Sequence, residues 1–324
     1  MYKNEDSSLH QISLPLVNKN EDKNVFPLVI NVLTRFWGEE PPKSEIDSRS
    51  KNYYGYKGSV FIEGLEIIEK KLKLSSKVYR GSLSDLKRRL DQGFPLIVIL
   101  PGISETIQFA TIVSGYDEEE KRIITYVPEP DSFGAIPEEK FMEAWIQDDF
   151  LTILIYPEDV KDILKSDSFL FDQSNKISFK AERMKILGNT EDALRLLQKE
   201  LNQSTEANRN PQLLLMLAGI LNERDDSQCV EYYQKIIEIN PKYYLAHRGL
   251  GNYYLKRGNY NLSNKHYIEA TQISPTRYGP IYKNLGLTYV HLGDNASAKE
   301  SFKEYLNQVP EAKDRKNILE FIES

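Results

Sequence analysis

Leu250–Pro275 reads LGNYYLKRGNYNLSNKHYIEATQISP, and Leu285–Pro310 reads LGLTYVHLGDNASAKESFKEYLNQVP. At an offset of 35 residues, Leu250, Gly251, Tyr254, Gly258, Ser263, Tyr267, Ala270 and Pro275 fall on Leu285, Gly286, Tyr289, Gly293, Ala298, Phe302, Tyr305 and Pro310. Each copy holds two amphipathic helices, broken by a glycine and closed by a proline. A unit this short cannot bury its own apolar face, so such pairs are expected to stack on one another. Small residues at Gly251, Ser263, Ala270, Gly286 and Ala298 let the paired helices approach closely. Tyr254, Tyr267, Tyr289 and Phe302 then fill the groove between neighbours.

Two weaker copies precede these. One runs through Leu217, Ala218, Cys229, Tyr233, Ile236 and Pro241, one residue short in its turn at Arg224–Asp226; the other has Ala181, Met184, Gly188, Ala193 and Leu197. Residues 177–324 therefore divide into about four helix pairs with a closing helix from Ala312 to Ile322. The pattern and its period resemble the tetratricopeptide repeat, whose unit is about 34 residues. The resemblance implies an all-α superhelix that binds extended peptides along a concave face lined by the first helix of each pair. That face would carry Arg248, Asn252 and Lys256 from one repeat, and Lys283, Asn284, Leu287 and His291 from the next. In the chaperone-binding subclass, a basic residue and an Asn one turn apart, with an Asn from the next repeat, grip a peptide C-terminal carboxylate. Arg248, Asn252 and Asn284 stand at those positions. The chemistry is apt, because a guanidinium forks onto a carboxylate and amides pin a peptide backbone. The expected partner is a protein or peptide, with an acidic C-terminus as the specific case. The same side chains also read as an ordinary solvated helix face.

The front half has a different periodicity. Apolar residues at Phe26, Val29, Ile30, Leu33 and Trp37 give a helix over Val25–Trp37, with further helices over Val60–Leu74 and Leu83–Leu90. Strands are expected at Leu96–Leu100, Phe109–Tyr116, Ile123–Val127 and Leu151–Tyr156, the middle pair joined by the polar turn Tyr116–Lys121. Helices followed by an antiparallel sheet make an α+β domain. Residues 1–13 read as a flexible start, 14–158 as this domain and 159–176 as a linker. Asp117–Glu120 and Asp148-Asp149 read as solvated loops.

The motifs Val25-Phe26-Pro27, Arg35-Phe36-Trp37-Gly38, Gln108-Phe109, Gly115-Tyr116-Asp117 and Glu129-Pro130 occur in the order of a known scaffold. The front half resembles the double-glycine peptidases that process bacteriocin leaders, a papain-like, cysteine-proteinase-type family. In that family the nucleophilic Cys opens the first helix, a His begins the strand ending in Gly-Tyr-Asp, and an acid follows in Asp-Pro. Here those positions hold Val25, Gln108 and Glu129, and the oxyanion-hole Gln falls at Lys19. A thiolate must be present, activated by an imidazole that a third group orients. Neither Val25 nor Gln108 can do this, so the resemblance implies a degenerate, non-catalytic domain that still holds a peptide in its cleft. The contrasting expectation is an active peptidase or other hydrolase with an unrecognised nucleophile.

Lys+Arg 42 against Asp+Glu 48 gives a net charge of −6 with both signs interspersed. This lacks the one-sided basicity that attracts nucleic acid. No apolar run is long enough for membrane insertion. The sole cysteine, Cys229, occupies a small-residue position of a repeat and reads as a packing thiol. The expected location is the cytoplasm. His10, His247, His266 and His291 form no recognisable metal or catalytic spacing, and no cofactor is expected.

Overall fold

The computed structural model describes residues 8–17, 26–50, 58–102, 106–127 and 133–324. These form two compact units. The first comprises the described residues up to Ile99, Ala110–Trp145 and Phe150–Leu213; the second comprises Leu100–Phe109, Ile146–Asp149 and Leu214–Ser324.

The first unit is built on strands β1 (Leu9–Gln11), β2 (Leu74–Arg80), β3 (Leu96–Pro101), β4 (Gln108–Asp117), β5 (Arg122–Thr125), β6 (Gly134–Pro137) and β7 (Leu151–Pro157). They lie in the order β2-β7-β3-β4-β5-β6, with β1 on β4. Helices α1 (Leu28–Phe36), α2 (Lys43–Ser50), α3 (Gly58–Lys71), α4 (Leu83–Asp91) and α5 (Glu138–Trp145) punctuate the strands. Leu151, Ile153 and Ile155 alternate along β7 and share a core with Ile30 and Leu33 of α1 and Leu65 and Ile68 of α3. Period-two placement sends these side chains to one face. Thr152, Leu154 and Tyr156 are buried as well, so the strand is covered on both faces. The Trp37 indole donates to the Ile155 carbonyl at 3.0 Å, anchoring the end of α1 to the sheet.

Strand β2 is not legible in the sequence, and its outer edge has a specific cover. Helix α6 (Asp172–Ile186) supplies it. Asp172 accepts from the Val78 amide at 2.8 Å, Asn175 donates to the Val78 carbonyl at 3.0 Å, and Lys176 donates to the Ser76 carbonyl at 2.8 Å. Side chains of one helix thus satisfy backbone groups that an edge strand would otherwise present to another chain. Helix α7 (Thr190–Gln203) packs antiparallel to α6, fixed by Ser174 donating to Glu200 at 2.9 Å.

Three expectations need correction here. Leu9–Gln11 is a strand paired with Gly115–Asp117, so residues 8–13 are not a loose start; His10 stacks on Tyr116 with ring centroids 4.6 Å apart. The stretch 159–176 is not an open linker, because Glu158–Leu164 is a 3-10 helix and α6 begins at Asp172. The helices do not all precede the sheet, since β2 comes before α4.

In the second unit, helices α8 (Pro211–Glu223), α9 (Cys229–Ile239), α10 (Tyr244–Lys256), α11 (Tyr260–Ile273), α12 (Pro280–His291), α13 (Asn295–Gln308) and α14 (Arg315–Glu323) follow one another. Gly258 and Gly293 end α10 and α12 at φ +69° and +78°, the left-handed region that favours glycine. Asn259 and Asp294 then cap α11 and α13 by accepting from Leu262 and Ser297 amides. Gly251 and Gly286 serve the close approach expected of them. A Cβ on Gly251 would lie 2.5 Å from the Tyr267 ring, and one on Gly286 2.6 Å from the Phe302 ring.

Candidate functional site

Arg248 and Asn252 sit one turn apart on α10, and Asn284 lies on α12. The structure brings the two amides together around Tyr267. Its hydroxyl donates to Asn252 Oδ1 at 2.7 Å, while Asn284 Nδ2 reaches that oxygen at 3.4 Å and the hydroxyl at 3.3 Å. Burial pushes the Tyr267 phenol well above its usual range, so it stays a neutral donor. The Arg248 guanidinium lies over the Tyr278 ring, 4.5 Å from its centroid. Among the described residues it pairs with no carboxylate, which leaves its N–H fork available to an incoming anion.

The remaining residues of the expected face have structural work. Lys256 donates to the Asn222 carbonyl at 3.3 Å, at the C-terminal end of α8. Lys283 pairs with Asp314 at 2.5 Å, and with the Tyr305 hydroxyl it holds that carboxyl below the usual range against the effect of burial. His291 stacks flat on Tyr260, with centroids 4.0 Å apart. Of the set, Arg248 keeps an open N–H fork, while Asn252 and Asn284 lie beside it already engaged around Tyr267.

Gln108, expected from the resemblance to stand in place of a catalytic histidine, enters a buried polar cluster. Its amide donates to Asp148 Oδ1 at 2.5 Å, and Arg277 Nη2 donates to the same oxygen at 2.8 Å. Arg277 also donates through Nε to the Ile107 carbonyl at 2.7 Å and lies over the Tyr244 ring at 4.8 Å. Arg277 and Asp148 are both 0% exposed. The reading of Asp148-Asp149 as a solvated loop is therefore corrected: both are buried, and the cation that makes this tolerable comes from the connector between α11 and α12. Nearby Tyr243 is fully buried, and burial together with Asp148 and Asp149 drives its phenol well above the ordinary value. The Asp148 carboxylate beside Gln108 is thus paired with a guanidinium. Lys19, Val25 and Glu129 lie outside the described residues.

Cys229 is buried in α9, and burial pushes its thiol up to about 11. At neutral pH it is a protonated packing group. His247 and His266 meet at 3.5 Å between their Nδ1 atoms, with His247 Nε2 at 3.2 Å from the Pro241 carbonyl. The ring centroids are 5.7 Å apart, so the rings point almost head-on at each other. Burial lowers both imidazoles, so the pair is held neutral. Among the described residues, no helix is long and apolar enough to cross a membrane.

A tetratricopeptide-repeat family model matches residues 280–308, which span α12 and α13. The chain therefore carries a tetratricopeptide repeat there. A search of curated protein sequences finds no match. Among solved structures, the chain is similar to MamA from Desulfovibrio magneticus RS-1 at 20% identity and a TM-score of 0.40, covering 48% of this chain and 93% of that one. It is also similar to YrrB, described as a TPR protein with an unusual peptide-binding site, at 16% identity and a TM-score of 0.40, covering 46% and 75%. TTC0263, a thermophilic TPR protein of Thermus thermophilus, gives 18% identity and a TM-score of 0.38, covering 51% and 87%. The repeat assignment rests on the family match and on the helix pairs themselves.

Proposed function

We propose that the chain is a non-catalytic adaptor that holds a protein or peptide on the first-helix face of its repeats. The observation that carries this is the convergence of Asn252 and Asn284 on Tyr267, with an Arg248 guanidinium that no described carboxylate neutralises. A peptide ending in an acidic residue matches this set: Arg248 forks onto a carboxylate while the amides hold the backbone. Lys256, Lys283 and His291 flank that contact and shape it through their own packing. The front half belongs to the same reading as a degenerate peptidase-like domain in which Val25 and Gln108 replace the nucleophile and its base. The use of Gln108 as a hydrogen-bond donor to Asp148 supports a structural role at that position. We place the protein in the cytoplasm. Titration of the full chain with a short peptide ending in Glu-Asp tests the site. The Arg248→Ala/Lys283→Ala variant is expected to lose at least about tenfold in affinity, equivalent to about 1.4 kcal/mol. Unchanged affinity in that variant overturns the assignment.

A further inference from the structure

The α12–α13 pair carries an open cleft of about 560 Å³, lined in part by Leu285, Tyr289, Ala296, Ser297 and Ser301. The preceding repeat shows why it is open. At the 35-residue offset these positions correspond to Leu250, Tyr254, Asn261, Leu262 and His266. In α10–α11, the His266 imidazole lies parallel to the Tyr254 ring, with centroids 5.8 Å apart and planes inclined by 9°. The last repeat keeps the tyrosine but replaces the ring that covers it with Ser301, and Asn261 and Leu262 with Ala296 and Ser297. Tyr289 has no stacked or edge-on ring partner among the described residues, and it is only half-buried. The cleft is the space of a missing planar group on a helix pair that otherwise repeats its neighbour.

The rim carries a charge preference. Lys299 makes no ion pair among the described residues, while Lys303 pairs with Glu300 at 2.6 Å. That pair is exposed, so water and salt screen it and it is easily exchanged. One cation is left uncompensated beside an uncovered aromatic face.

We propose that this cleft is a docking site for an aromatic side chain of a partner polypeptide, set among acidic residues. The ring stacks on Tyr289 as His266 does on Tyr254, and the flanking carboxylates meet Lys299 and Lys303. The volume is within the about 300–1,000 Å³ of ordinary ligand clefts. The site shares no residue with the Arg248–Asn252–Asn284 set and does not call for a free C-terminus.

The test uses the full chain and a peptide blocked at both ends, acetyl-Glu-Glu-Trp-Glu-Glu-amide, with its Trp→Ala and all-Gln counterparts, read by calorimetry. The Trp peptide is expected to bind at least about tenfold more tightly than the Ala peptide. Ser301→His should reduce that affinity at least about tenfold by supplying the ring internally, as the preceding repeat does. Ser297→Leu should block the cleft independently, and both variants should keep the parent's circular dichroism spectrum. Lys299→Glu should weaken the acidic peptide but leave the Gln peptide unchanged. Arg248→Ala should leave the preference for the Trp over the Ala peptide unchanged, which separates this site from the first-helix face. The proposal is overturned if the Trp peptide fails to bind at about 1 mM, if the Ala peptide binds equally well, or if the two filled variants bind like the parent.

Discussion

Replacing Arg277 by Ala removes the cation that contacts Asp148 Oδ1 at 2.8 Å, leaving a carboxylate at 0% exposure beside the Gln108 amide. Breaking a buried ion pair from one side costs about 3–5 kcal/mol, because the surviving charge is desolvated without its counter-charge. The Nε bond to the Ile107 carbonyl and the contact with the Tyr244 ring disappear as well, and these losses overlap with the main one. With a urea slope of about 2 kcal/mol/M, the unfolding midpoint of the helical signal should fall by about 2 M. Circular dichroism is the suitable probe, since both tryptophans, Trp37 and Trp145, lie in the other compact unit. The double variant Arg277→Met/Asp148→Leu removes both charges and should recover most of the loss. A midpoint for Arg277→Ala within about 0.3 M of the parent would refute the reasoning. So would a double variant no more stable than the single one.

Three further outcomes follow from the same structure. Gly286→Ala would drive a methyl into the Phe302 ring and should cost about 1–3 kcal/mol, measured by urea denaturation; a cost under about 0.5 kcal/mol would deny the close helix approach. Burial and the His247 and Lys265 charges lower His266 from 6.5 to about 4, and burial lowers His247 against a favourable Glu269, so the folded pair resists protonation. The unfolded chain takes up protons first, so stability is full above about pH 6.5 and is lost as pH falls towards 4. After discounting for partial exposure this amounts to about 1–2 kcal/mol; His266→Gln should flatten the profile between those pH values, and an unchanged slope would be the contrary result. Iodoacetamide at neutral pH should leave Cys229 unmodified until the chain unfolds, and serine- and cysteine-directed electrophiles should label nothing in residues 14–158. Stoichiometric labelling of one residue in that range, read by mass spectrometry, would establish an enzyme.

The repeats are legible because close packing leaves a direct trace in one chain. Glycine facing a ring at Gly251–Tyr267 and Gly286–Phe302 recurs with the period of the fold. The edge strand β2 leaves no such trace. Its Ser75-Ser76-Lys77 core looks like a loop, and its backbone is satisfied by Asp172, Asn175 and Lys176, about a hundred residues away. Asp148 misleads for the same reason. A local rule places paired aspartates in water, and the guanidinium that reverses it lies 129 residues further on. At the candidate site, the polar set is what the resemblance to the repeat family implies, and the division of labour within it is not legible in the sequence. Only the structure assigns Lys283 to Asp314 and His291 to Tyr260, leaving Arg248 with its fork open.

The central claim, that the first-helix face holds a peptide through Arg248, Asn252 and Asn284, is tested most directly by one comparison. The full chain is titrated with a peptide ending in Glu-Asp as the free acid and with the same peptide as its C-terminal amide. The account predicts that the free acid binds and that amidation costs at least about tenfold. Equal affinity for the two forms, or binding of neither, would contradict it.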